Sequence, residues 1–176
     1  MKKALFILFI MLQIGCGKKG AETPEAALDL AQQAYLQKDA KAFLKVLSKE
    51  TIIYLEEKIE PYRTAFQATP DNPQAQKAFE AMAQSMGMPV SKLKDLTIED
   101  FVSYMLKNEG GAGSETTIFP RELLPPAKVM RRIEKGNKAT LYFEDDQKLI
   151  FIKTDTGWKM HLDTDGLEIA PTQKIE

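Results

Sequence analysis

Residues 149–162 read LIFIKTDTGWKMHL, and this stretch decides the fold. Leu149 to Ile152 is apolar at every position, which is typical of a central strand covered on both faces. Asp155-Thr156-Gly157 then indicates a turn. The apolar residues after the turn recur at every second position: Trp158, Met160 and Leu162. The stretch therefore predicts two antiparallel strands, with the indole of Trp158 buried against the first helix of the chain.

The period of two continues upstream from this hairpin to about Ala127. Gly136-Asn137 is a tight-turn signal, and Asp145-Asp146 predicts a second turn. Between these turns, the side chains expected on one face of the strand are Ala139, Leu141 and Phe143. We therefore predict an antiparallel meander of four strands within residues 127–163.

Residues 24–109 instead show the three-and-four spacing of amphipathic helices. Thr23 before Pro24, Asp39 and Ser48 each precede a helical segment, and their side-chain oxygens suit the free N–H groups of a first turn. Pro61 falls inside the third helix, where we expect a kink or a break. The predicted fold class is α+β: N-terminal amphipathic helices, an extra helical block in the middle and a C-terminal antiparallel four-stranded meander.

The start of the chain has the pattern of a targeting segment. Lys2 and Lys3 form a positive n-region, and Leu5 to Leu12 is an apolar core too short to span a bilayer of ~30 Å. The segment ends in Gly15-Cys16, and a small residue before the only cysteine resembles the lipobox of bacterial lipoproteins. Gln13 stands where the lipobox usually has leucine.

This resemblance implies cleavage before Cys16, lipidation of Cys16 and attachment to the bacterial cell envelope. Because Gly17 rather than Asp follows the cysteine, the sorting rule of enteric lipoproteins implies the outer membrane, with the domain facing the periplasm. The predicted organisation is a signal peptide (1–15), a lipidated cysteine with its tether (16–23) and a single α+β domain (24–176).

Charge and cysteine content exclude several classes of function. The chain has 24 basic and 25 acidic residues, and loss of Lys2 and Lys3 with the signal would leave a formal net charge of −3. Nucleic acid is not expected as a partner, because phosphate binding needs a clustered basic excess. A lipidated Cys16 would leave no free thiol, which excludes disulfides, thiol catalysis and thiolate metal sites.

The order of elements resembles small bacterial lipoproteins with the nuclear transport factor-like (cystatin-like) α+β fold. The resemblance rests on the Ala-rich helix 25–37, the Asp-led helix 39–47 and the meander ending in Gly157-Trp158-Lys159-Met160. It implies a curved sheet that wraps the first helix and encloses a cone-shaped pocket. Residues 51–107 add more helix than this fold requires, as an insertion over the pocket mouth or as the mark of another α+β fold. We expect the block to cover the open side of the sheet and leave an apolar cavity.

His161, the only histidine, is the runner-up catalytic candidate, because enzymes of the resembled fold often pair His with Asp and Asp163 follows two residues on. The favoured interpretation is a solvated strand residue near the end of the sheet. Asp163 also starts a segment, 163–168, that resembles part of a calcium loop but lacks both anchoring ligands. No metal, cofactor or catalytic residue is therefore predicted.

Met82, Met86 and Met88 stand close together in the helical block. Thioethers are soft ligands for copper, but Met82 and Met86 are one helical turn apart beside Phe79, which favours a packed or partner-binding face. Met82 and Met86 are the predicted binding residues. The predicted function is a non-catalytic, lipid-anchored envelope protein that binds a small apolar ligand or an envelope protein. A pocket enzyme using His161 and a structural lipoprotein that recruits partners are the alternatives.

Overall fold

The computed structural model describes residues 20–68, 72–85, 87–108, 128–144 and 147–162. Its helices are α1 (Pro24–Leu36), α2 (Ala40–Val46), α3 (Lys49–Ala68), α4 (Pro73–Ser85), a 3₁₀ helix (Val90–Asp95) and α5 (Ile98–Asn108). Its strands are β1 (Arg131–Lys135), β2 (Lys138–Tyr142), β3 (Lys148–Thr154) and β4 (Gly157–His161). They form one antiparallel sheet in the order β1-β2-β3-β4, so the predicted α+β fold and meander are confirmed.

Side-chain caps start the first three helices where the sequence predicts them. The hydroxyl of Thr23 accepts from the N–H of Ala26 at 3.1 Å, and the carboxylate of Asp39 accepts from the N–H of Ala42 at 2.9 Å. Ser48 caps α3, because its Oγ accepts from the N–H of Thr51 at 3.2 Å. These bonds satisfy N–H groups that have no partner within the helix.

Helix α3 runs through Pro61 without interruption, so the predicted break at this residue is wrong. Contacts beyond Pro61 hold the last turns in place. Arg63 donates to the carbonyl of Leu96 at 3.1 Å, and Gln67 donates to the carbonyl of Lys94 at 3.2 Å. The rings of Phe66 and Phe79 lie 5.2 Å apart. These tertiary contacts offset the backbone hydrogen bond that proline removes.

One face of the sheet has an apolar centre across β2, β3 and β4. Ala139, Phe151 and Met160 are partners across β2, β3 and β4, and all three are completely buried. Trp158 is 3% exposed, and α1 contacts β4 and β2, so the predicted burial of the indole in the core is confirmed. The opposite face is only partly covered: Thr140 and His161, the neighbours of Ile150 in the register, are half-buried.

The helical block packs mainly on other helices. Its extensive contacts join α5 to α2 and α3, and join the 3₁₀ helix to α3 and α4. The buried apolar side chains that fill these contacts include Leu55, Phe79, Leu93, Phe101 and Leu106. The expectation that residues 51–107 cover the open side of the sheet stays a prediction, since the block meets the sheet where Thr51 accepts from the N–H of Leu162, next to β4.

The outer edge of β4 is covered by two segments from the first part of the chain. Ala21 forms a bridge with Trp158, whose N–H donates to the carbonyl of Ala21 at 2.8 Å. Leu47 forms a bridge with Met160, whose carbonyl accepts from the N–H of Ser48 at 2.7 Å. Part of the predicted tether thus belongs to the folded domain, and β4 is protected from pairing with another chain at these positions.

Candidate functional site

Most of the predicted site residues lie outside the described part of the chain. This is the case for Cys16, Met86 and Asp163, for the turn at Asp145-Asp146 and for the segment 163–168. Met82 belongs to α4, and the structure describes its backbone but not its side chain. Met88 is described and is buried in the core, at 6% exposure. Of the two runner-up catalytic residues, the structure therefore places His161 alone.

His161 lies at the end of β4 on the partly covered face of the sheet, opposite to the face of Trp158. Its side chain is half-buried, and Nδ1 lies 3.0 Å from the Oγ of Ser48. His161 is near the end of the sheet, as predicted, but it is only partly solvated, because the cap of α3 lies against its Nδ1. The sequence indicates the face correctly, but it holds no sign that the cap of α3 reaches this strand.

Ser48, Thr51 and His161 form a small polar cluster between α3 and β4. The Oγ atoms of Ser48 and Thr51 lie 3.1 Å apart, and both residues are completely buried. Thr51 Oγ1 also accepts from the N–H of Leu162 at 3.0 Å. Buried hydroxyls require such partners, since an unpaired polar group in the core destabilises the fold. The cluster fastens the start of α3 to the end of β4.

The charge next to this cluster belongs to Glu50, in the first turn of α3. Its own backbone N–H, which donates to the carboxylate, is the largest cause that lowers the pKa of Glu50 from its ordinary value of 4.5. The Ser48 hydroxyl and the positive charges of His161 and Lys49 lower it further. A carboxylate at this place also matches the positive end of the helix dipole.

An open groove lies beside the cluster, between α2, the start of α3 and the β3–β4 turn. Its volume is about 650 Å³, within the range of sites for small molecules. Leu44, Leu47 and Ile52 supply its apolar surface. The remaining lining residues are polar or charged: Lys41, Lys45, Lys49, Thr154, Asp155, Thr156 and Lys159.

The sequence alone does not predict this groove. A regular signal is present, since Lys41, Lys45 and Lys49 recur at every fourth residue. However, α2 ends at Val46 and α3 begins at Lys49, so the three lysines do not belong to one helix. Only the fold brings them to Lys159, whose ammonium group donates to the carbonyl of Lys45 at 2.5 Å.

Within the ranges that the structure describes, no cluster of three or more His, Cys, Asp or Glu side chains could hold a metal ion. No helix of these ranges has both the length and the apolar character needed to cross a bilayer. Comparison with models of known protein families, with curated proteins and with solved structures finds no match to this chain. The resemblances to bacterial lipoproteins and to the nuclear transport factor-like fold stay predictions.

Proposed function

We propose that this chain is a lipid-anchored bacterial envelope lipoprotein whose α+β domain binds a ligand without transforming it. The observation that carries the proposal is the groove between α2, α3 and the β3–β4 turn, which combines an apolar surface with a volume of about 650 Å³. Such a groove can receive the apolar part of a small ligand or of an envelope protein, and its lysines can meet an anionic group of the same partner. A small ligand would lie mostly inside the groove, whereas most of an envelope protein would stay outside it.

The geometry around His161 supports binding rather than catalysis. A histidine that acts as a general base must reach a reacting proton, with a partner that orients its ring. The Ser48 hydroxyl orients the ring of His161 through Nδ1, but this hydroxyl is completely buried and also accepts from the N–H of Thr51, so Nδ1 faces the core rather than a substrate. A substrate has no access to a buried hydroxyl, so the Ser-His contact serves to hold the fold together.

The short segment between Cys16 and the folded domain is compatible with a lipid anchor on Cys16. Ala21 is fastened to β4, and Cys16 precedes it by five residues. Lipid chains on Cys16 would therefore hold the domain close to the outer membrane, facing the periplasm. A lipoprotein cysteine carries several acyl chains, and their combined burial makes the attachment permanent.

The anchor is tested by replacing Cys16 with Ser and separating membrane from soluble fractions. We expect the Cys16→Ser chain to stay uncleaved or to lose the lipid that the wild type carries. A Cys16→Ser chain that matures and partitions with membranes as the wild type does would refute lipidation of Cys16. Mass spectrometry of the mature N-terminus reports the modification directly.

The binding role is tested by purifying the mature protein from envelopes in mild detergent and identifying the lipids and proteins that accompany it. Ile52→Gln changes the groove, whereas Ile53→Gln changes the exposed neighbour on the same helix, and it is the matched control. We expect the bound material to be lost from Ile52→Gln and kept by Ile53→Gln and His161→Ala. If His161→Ala alone abolishes the cellular phenotype in a folded protein, the enzyme alternative replaces this proposal.

A further inference from the structure

The groove carries a strong excess of positive charge. Four of its lining residues are lysines, and Asp155 is the one carboxylate among them. Lys41, Lys45 and Lys49 form no ion pair with a carboxylate of the described residues. The charge is local, because the chain as a whole has a formal net charge of −1. An anionic ligand therefore matches this surface better than a neutral one.

A hydrogen bond holds Lys159 in place at the edge of the groove. Its ammonium group donates to the carbonyl of Lys45 in the last turn of α2, where backbone carbonyls lack partners within the helix. This bond holds β4 against α2 and places Lys159 beside Lys45 at the same rim. Leu44, Leu47 and Ile52 line the same groove as the lysines. Lysines and apolar side chains in one groove are the complement of an anionic amphiphile, which has both a phosphate and apolar atoms.

The same rim is next to the place where the chain enters the domain. A Cβ on Gly20 would overlap the backbone carbonyl of Thr156, so the backbones of Gly20 and the β3–β4 turn are in direct contact. Thr156 lines the groove. Cys16 precedes Gly20 by four residues, which span at most about 14 Å when fully extended. A lipid anchor on Cys16 would thus keep the groove close to the surface of its own bilayer.

From these observations we infer that the lysine groove docks onto anionic phospholipid headgroups of the bilayer that holds the anchor. This inference rests on the proposed lipidation of Cys16 for its geometry, but the groove itself does not depend on it. The docked domain lies with α2 and the β3–β4 turn against the membrane, while α4 packs at the other end of α3, where Phe79 meets Phe66. Lysines near an anionic surface each strengthen binding by about 1 kcal/mol, which is roughly fivefold in the docking equilibrium.

The test uses the mature, lipidated protein reconstituted into vesicles of phosphatidylcholine, with or without roughly one third phosphatidylglycerol. The chain's only cysteine is Cys16, so a single new thiol can carry a fluorophore, at Thr156→Cys on the groove or at Gln84→Cys on α4 as the distant control. A quencher attached to lipid headgroups reports which label lies at the surface. We expect stronger quenching at position 156 than at position 84, in anionic vesicles only.

Two charge variants separate the groove from general charge. Lys41→Gln with Lys45→Gln removes two lysines of the rim, whereas Lys77→Gln with Lys94→Gln removes two exposed lysines elsewhere. The first pair should weaken docking about 30-fold and abolish the difference between the labels, while the second pair should leave it unchanged. Circular dichroism and thermal unfolding identify any variant that has lost its fold, and Lys45→Gln alone, expected to weaken docking about fivefold, then replaces the pair.

The experiments distinguish a failure of the lipid anchor from a failure of docking by the groove. Failure to float with phosphatidylcholine vesicles refutes the anchor, and the groove is then tested by flotation with anionic vesicles, which the Lys41→Gln, Lys45→Gln pair should reduce. Equal quenching of both labels in anionic vesicles, or an equal effect of both charge pairs, overturns docking. Capture of an acidic envelope protein without any lipid-dependent quenching overturns it as well, and assigns the groove to a protein partner.

Discussion

The Oγ of Ser48 lies 3.0 Å from the Nδ1 of His161, although 113 residues separate them in the chain. Ser48 is the cap of α3, and His161 is the last residue of β4. The same serine donates its backbone N–H to the carbonyl of Met160 at 2.7 Å. One residue therefore starts a helix, covers the edge of the sheet and orients the only histidine, so this junction ties the start of α3 to the end of the sheet.

Replacing Ser48 by Ala should lower the free energy of unfolding by about 1–3 kcal/mol, because a helix cap and a buried hydroxyl contact are lost together. Denaturant unfolding of the mature protein in detergent measures this change. Ser91→Ala, at an exposed position of the 3₁₀ helix, is the control and should change the free energy far less. Equal effects of the two substitutions would contradict the role given to Ser48.

The contact between Ser48 and His161 can be measured apart from the cap. A double-mutant cycle with Ser48→Ala and His161→Ala should give a coupling free energy of about 0.5–1.5 kcal/mol. The double variant should lose less stability than the sum of the two single losses, since either substitution alone already breaks the hydrogen bond. Additive effects would mean that the two side chains do not interact in solution.

The parts of the fold that depend on neighbouring residues could be predicted from the sequence. Thr23, Asp39 and Ser48 start helices because a cap bonds to an N–H three residues on, so the signal is local. The strands followed from a period of two and from the turn at Gly136-Asn137, where Gly136 has a φ of 61°. Side-chain direction follows from the same period. The sequence therefore also predicts that His161 lies on the face opposite to Trp158 and Met160, as it does.

Features that depend on distant residues could not be predicted in this way. Pro61 is compatible with a continuous helix because Arg63 and Gln67 bind backbone carbonyls of the segment after α4. The groove needs Lys45 and Lys159, which are 114 residues apart. The pattern of a single segment contains no information on such contacts, so it identifies the apolar helical block without showing which elements the block packs against.

The indole of Trp158 offers a direct check of the core. Trp158→Ala should lower the free energy of unfolding by about 3–5 kcal/mol, because the side chain is 3% exposed and its removal leaves a cavity. Trp158 is the only tryptophan, so the fluorescence of the wild type reports this site alone. We expect the blue-shifted emission of a buried indole. Emission typical of indole in water would remove Trp158 from the core.

Glu50 should make the free energy of unfolding depend on pH. Its pKa is lowered in the folded state, chiefly by its own backbone N–H, so around and below pH 4.5 the unfolded chain binds more protons at this group. The stabilisation is complete above about pH 4.5 and is lost as the pH falls through the folded pKa. Glu50→Gln should therefore be less stable than the wild type at pH 7, with the difference shrinking in acid.

Denaturant midpoints measured between neutral and acidic pH test this expectation. Glu57→Gln, on an exposed position of the same helix, is the control for loss of one negative charge. A difference between wild type and Glu50→Gln that stays constant down to acid pH would show that the carboxylate is not stabilised at the start of α3.

Gly20 is where the chain joins the sheet, and it has no room for a side chain. A Cβ there would overlap the carbonyl of Thr156, and Gly157 also lacks room, since its own Cβ would lie 2.6 Å from the carbonyl oxygen of Ala21. Gly20→Ala must therefore push the entering segment away from β4, which weakens the bond from the N–H of Trp158 to Ala21. We expect a loss of about 1–3 kcal/mol, the usual effect of overpacking.

Hydrogen exchange at the amide of Trp158 follows this displacement directly, because its bond to Ala21 should open more often in Gly20→Ala. Gly136→Ala is the control: its Cβ would meet nothing within 4 Å, so that substitution strains only the turn, at a φ of 61°. The control should lose stability without faster exchange at Trp158. Unchanged exchange in Gly20→Ala would mean that the entering segment is not packed against β4 in solution, and the lysine groove would then lose its fixed position relative to Cys16.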